Sequence, residues 1–179
     1  MASRRLLLMC VVGSFGLLAV ASFCGVAAGA LGLITGMVQP FSGSESLPAP
    51  PDRALYEAAA ATCPGLPWPV LAAIGSIESD NGRSLAPGVH SGANQAGAEG
   101  PMQFEPATFA AYGIVGPGGA YPPDPYNPID AVYSAARLLC EDGGAGDAAD
   151  LRAAVYDYNH SDAYVHDVIQ LASAIGSMP

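Results

Sequence analysis

Residues 68–80 read Trp-Pro-Val-Leu-Ala-Ala-Ile-Gly-Ser-Ile-Glu-Ser-Asp, and the reading of this stretch decides the fold. Pro69 suits the first turn of a helix, where its missing N–H is not needed. Val70, Leu71, Ile74 and Ile77 recur at helical spacing as an inward face, and Asn81-Gly82 ends the helix. Glu78 follows Ile74 by four residues and Leu71 by seven, so it lies on the apolar face, in the last turn. Burial and the negative end of the helix dipole both disfavour its charged form, and its pKa is expected to rise. A carboxyl group still protonated near neutral pH can donate a proton to a leaving oxygen, as general acid catalysis of glycoside cleavage requires. The plainer alternative is a glutamate that turns to solvent as its helix ends.

Outward from this stretch the spacing stays helical. Leu55, Ala58 and Ala59 form an earlier stripe with Thr62 next on that face, and Cys63 ends the helix ahead of Pro64. Residues 83–105, rich in Gly, Ala and Ser, have no period and read as a loop with a short hairpin at most. Pro106 begins a short helix to about Tyr112, with Phe104 and Phe109 as core, and Gly113–Tyr126 is a second loop. Asn127-Pro128-Ile129-Asp130 is a helix start: a cap, a first-turn proline, and an acid near the positive dipole end. Ile129, Val132, Ala136 and Leu139 form its stripe, which Cys140 extends. Asp150 is expected to cap a helix carrying Leu151, Ala154, Val155 and Tyr158. Ser161 is expected to cap the last one, carrying Val165, Val168, Ile169, Ala172 and Ile175. Short helices between long loops, without strand alternation, predict an all-α domain, α+β at most with a minor hairpin.

The N-terminal segment is different in kind. From Leu6 to Val38 there are 33 residues without a charge, preceded by Arg4 and Arg5. About 20 apolar residues suffice to span a bilayer as a helix. Residues 1–39 are therefore expected to be a membrane anchor, with the N-terminus cytoplasmic and the rest outside. A cleavable signal peptide is the competing reading, because Ala28-Gly29-Ala30 has the form of a cleavage site. Residues 40–51 are Pro/Ser-rich and read as a linker, leaving residues 52–179 as one domain.

The whole chain has 179 residues and a net charge of −10; its six basic residues are all arginine. So few cations exclude sequence-independent nucleic-acid binding. The 52–179 domain alone holds four arginines against fifteen acids, a charge expected to serve solubility. Two of the four cysteines lie in the apolar segment, leaving Cys63 and Cys140, which export would pair as a disulfide. No metal-binding spacing occurs, and no cofactor is expected.

Three motifs then follow in order: Glu78-Ser79 at a helix end, Gly100-Pro101-Met102-Gln103-Phe104 in a loop, and Tyr156-Asp157-Tyr158-Asn159-His160 near the C-terminus. Over about residues 52–175 the sequence resembles the soluble-lytic-transglycosylase family of the lysozyme-like superfamily, and residues 87–104 look especially like its exported actinobacterial members. The resemblance implies a lysozyme-like single domain in which Glu78 is the one catalytic acid/base. Met102 and Gln103 would line the glycan cleft, while Tyr158 and Asn159 would close it opposite and contact the N-acetyl sugar. Tyr164 and Ser79 are further substrate-binding candidates, and Ser79 is expected to hold the loop by hydrogen bonding rather than to act as a nucleophile. One departure is Pro101, which should stiffen the approach to Met102.

The implied reaction is cleavage of the β-1,4 bond between N-acetylmuramic acid and N-acetylglucosamine in peptidoglycan, leaving 1,6-anhydro ends. Hydrolysis by a muramidase is the alternative, since Asp80 or Glu99 could supply the second carboxylate such enzymes commonly use. A non-catalytic peptidoglycan-binding module is a third reading. The partners implied are glycan strands, the membrane, and a conjugation, secretion or division apparatus.

Overall fold

The computed structural model describes residues 52–177. The anchor or signal segment and the linker lie outside the described residues. Among these the structure has six helices and no strand: α1 (Arg53–Ala60), α2 (Trp68–Ser79), α3 (Pro106–Tyr112), α4 (Pro128–Glu141), α5 (Ala148–Asn159) and α6 (Asp162–Gly176). The domain is all-α. The minor hairpin is reduced to one antiparallel bridge, in which Glu99 and Phe104 exchange both backbone hydrogen bonds at 2.9 and 2.8 Å.

α2 is the central element. Its residues Val70–Gly75 are buried on every side, as an apolar-all-round helix must be. It packs mainly on α6, with α1 and α4 covering its other faces. Ile77, expected to face inward, is 40% exposed, because the last turn of α2 emerges from the core on that side. Leu71 and Ile74 are fully buried, so the apolar face that carries Glu78 is real.

Local chemistry explains most of the helix starts. Asn127 caps α4 by accepting from the backbone N–H groups of Ile129 and Asp130. Ser161 caps α6 through Tyr164 N–H. The cap of α5 is Asp147 and not Asp150; Asp150 is the third helical residue, and its side chain bonds back to the Asp147 N–H in a capping box. In a capping box the cap precedes the N3 acid by three residues, so of the two acids the earlier, Asp147, is the cap. Only His160 and Ser161 separate α5 from α6, with His160 in the left-handed region at φ 56°.

Cys63, just past α1, and Cys140, near the end of α4, form a disulfide with Cα atoms 5.9 Å apart. Among the described residues no helix is long and apolar enough to cross a membrane.

Candidate functional site

Glu78 is half-buried at the end of α2. Its Oε1 accepts a hydrogen bond from the Tyr164 hydroxyl at 2.6 Å, a contact between residues 86 apart in sequence. Desolvation raises the pKa of Glu78 from 4.5 to about 7, and the Tyr164 hydrogen bond opposes that rise in part. The expected shift is thus present, and burial is its cause. Proximity works in both directions: burial, then the Glu78 carboxylate, raises the hydroxyls of both Tyr158 and Tyr164 well above their ordinary value.

Two stacked tyrosines lie beside Glu78. The rings of Tyr158 and Tyr164 are nearly parallel, at 3°, with centroids 6.4 Å apart. Tyr158, fully buried, donates its hydroxyl to the Met102 carbonyl at 2.8 Å. The α5–α6 corner therefore reaches the acid with one hydroxyl and the Gly100–Phe104 turn with the other. Asn159, the last residue of α5, is half-buried beside Tyr158 in sequence.

The turn is secured from behind. Ser79 is buried; its hydroxyl donates to the Pro101 carbonyl at 2.6 Å and accepts from Gly82 N–H at 2.7 Å. These two bonds tie the end of α2 to the Gly100–Phe104 turn and to the start of the loop that follows α2. Met102 is 1% exposed and packs in the core. Gln103 adopts φ 48°, and its side chain bonds within the loop: Nε2 donates to the Gly100 carbonyl at 2.7 Å, and Oε1 accepts from Asn94 Nδ2 at 2.9 Å. The side chains of Met102 and Gln103 thus act by shaping the turn. Gln103's partner Asn94 was not singled out in the sequence; it also accepts from Ala96 and Ala98 N–H, which folds the preceding loop around it.

Both candidate second carboxylates have partners other than Glu78. Asp80, exposed and left-handed at φ 54°, is paired with Arg83, whose hydrogen bond lowers its pKa. Glu99 lies beside Tyr126, whose hydroxyl is raised first by desolvation and next by the Glu99 carboxylate. The causes that act on Glu78 are burial, which raises its pKa, and the Tyr164 hydrogen bond, which lowers it. Among the described residues no cluster of His, Cys, Asp and Glu could hold a metal ion. A separate open groove of about 440 Å³ lies between α5 and the start of α6, lined in part by Arg152, Asp157 and Asp162. Those three are exposed.

No protein-family model, no characterised protein sequence and no solved structure matches this chain.

Proposed function

We propose that the domain is a lysozyme-like lytic transglycosylase acting on peptidoglycan, with Glu78 as its single acid/base. The observation that carries this reading is the Glu78 environment: a half-buried carboxyl raised by burial to a pKa of about 7 and held by Tyr164. Such a group is both a competent acid and, once deprotonated, a competent base near neutral pH. In the first step Glu78 gives its proton to the bridging oxygen, the bond from that oxygen to the muramic C1 breaks, and positive charge develops at C1. In the second, the Glu78 carboxylate takes the proton of the C6 hydroxyl and that oxygen bonds to C1. The proton is back on Glu78, no water is consumed, and the product ends in a 1,6-anhydro ring.

One carboxylate suffices for this sequence, whereas lysozyme-like hydrolysis commonly uses two. The Met102–Gln103 turn and Asn159 would hold the glycan against Glu78. Export and tethering by residues 1–39, with a role in a cell-envelope apparatus, belong to the same proposal. Mass spectrometry of digested peptidoglycan tests it: anhydro-muramic ends are expected from the wild type and no cleavage from Glu78→Gln. Fully reducing ends would assign a muramidase instead. Glycan binding without cleavage by the wild type would assign the binding module.

A further inference from the structure

Asp130 has a role that helix-dipole chemistry does not explain. It is in the first turn of α4, yet it is fully buried, where an acid is rarely found without partners. Its partners are backbone N–H groups. Oδ1 accepts from Gly116 at 2.9 Å, and Oδ2 accepts from Ala120 at 3.0 Å and Asp124 at 3.1 Å. One turn later the buried Ser134 hydroxyl accepts from Ile114 N–H at 3.0 Å. Two side chains of α4 therefore gather four N–H groups of the 113–126 loop, which has no ladder of its own to satisfy them. The fit is close: a Cβ on Gly119 would overlap the Asp130 carboxyl.

The loop so held leans on the site. Asp124 Oδ1 accepts from Tyr126 N–H at 2.9 Å, and the Tyr126 hydroxyl donates to the Gly92 carbonyl at 2.6 Å. The Pro125 carbonyl sits where a Cβ of Gly100 would be, and Gly100 is left-handed at φ 76°, so only glycine fits. Gly100 opens the turn whose Pro101 carbonyl takes the Ser79 hydroxyl and whose Met102 carbonyl takes that of Tyr158. Ser79 adjoins Glu78 in α2, and Tyr158 stacks on the tyrosine that bonds Glu78.

We propose that Asp130 is a positioning residue of the Glu78 site, bracing the 113–126 loop against Gly100 and thereby fixing the Gly100–Phe104 turn beside the acid. The proposal rests on the reading of Glu78 as the catalytic acid, and its test has a readout that does not depend on cleavage. Asp130→Asn and Tyr126→Phe are prepared in the full domain with the disulfide intact. The Glu78 carboxyl is titrated by carbon-13 NMR, and cleavage of purified peptidoglycan is measured. A misplaced wall costs rate even at a distance, so kcat should fall roughly 10- to 100-fold in Asp130→Asn. Water reaching Glu78 should lower its midpoint by about one unit. Tyr126→Phe, which removes one exposed clamp, should lose roughly threefold in kcat.

A folded Asp130→Asn with native kcat and a native Glu78 midpoint overturns the proposal. If Asp130→Asn does not fold, Tyr126→Phe decides: its predicted loss supports the proposal and native kcat overturns it. If the wild type cleaves nothing, the transglycosylase reading fails. The Glu78 midpoint in Asp130→Asn, or in Tyr126→Phe should the former not fold, then decides the positioning role: a lowered midpoint supports it and a native one overturns it.

Discussion

Glu78→Gln should stabilise the domain at pH 8 and leave it unchanged at pH 4. The folded protein holds Glu78 at a pKa of about 7 against an ordinary 4.5, a rise of about 2.5. At about 1.4 kcal/mol per pKa unit, keeping the ionised group in place costs about 3 kcal/mol. The sign follows from proton linkage. Below pH 4.5 the folded and unfolded chains both hold the proton, and there is no penalty. Between 4.5 and about 7 the unfolded chain loses its proton first, so stability falls as pH rises; above about 7 the penalty is complete. Glutamine has the same shape, still accepts from Tyr164, and never ionises. Urea denaturation with the disulfide intact measures the difference. With an m value near 1.5 kcal/mol/M, the variant's midpoint should exceed the wild type's by about 2 M at pH 8 and coincide with it at pH 4. Other titrating groups cancel in the comparison. Parallel stability curves across that range would refute a buried, raised Glu78.

Tyr164→Phe removes the hydrogen bond that favours the ionised carboxyl, so carbon-13 NMR should show the Glu78 midpoint moving above about 7. On the proposed mechanism kcat/KM falls above the Glu78 pKa, because the free enzyme must carry the proton; a profile flat from pH 6 to 9 would contradict that acid. Ser79→Ala strips partners from Pro101 and Gly82 in a buried place and should cost about 1–3 kcal/mol in the same urea assay. Replacing Cys63 and Cys140 together by alanine opens a link across 77 residues and should cost roughly 4 kcal/mol, read as a lower urea midpoint that reductant no longer affects.

The acid was legible because a helix repeats: a carboxyl spaced with Leu71 and Ile74 had to share their surroundings. The same periodicity misplaced Ile77, since spacing says which residues share a face and not where the neighbouring helices stop covering it. It also missed Asp130, whose position in the first turn offered a sufficient local explanation. A signal was present in retrospect: Asp130 and Ser134, one turn apart among Ala131, Val132 and Ala135, form a polar pair in a buried helix beside a Gly/Pro-rich loop. Backbone acceptors were beyond reach altogether. Nothing in the letters of Met102 says that its carbonyl receives a hydroxyl from Tyr158. The side chains of the Gly100–Phe104 turn suggested contact with a ligand, and the left-handed Gln103 turns its amide to Gly100 and Asn94 instead.

The bond between Glu78 and Tyr164 joins residues 86 apart, and that between Tyr158 and Met102 joins residues 56 apart. The first waits for α6 to close on α2, and the second for α5 to reach the Gly100–Phe104 turn. Before then Glu78 is an ordinary solvated carboxylate with no proton to offer at neutral pH. On the proposed function the chain would therefore be inactive until it has folded.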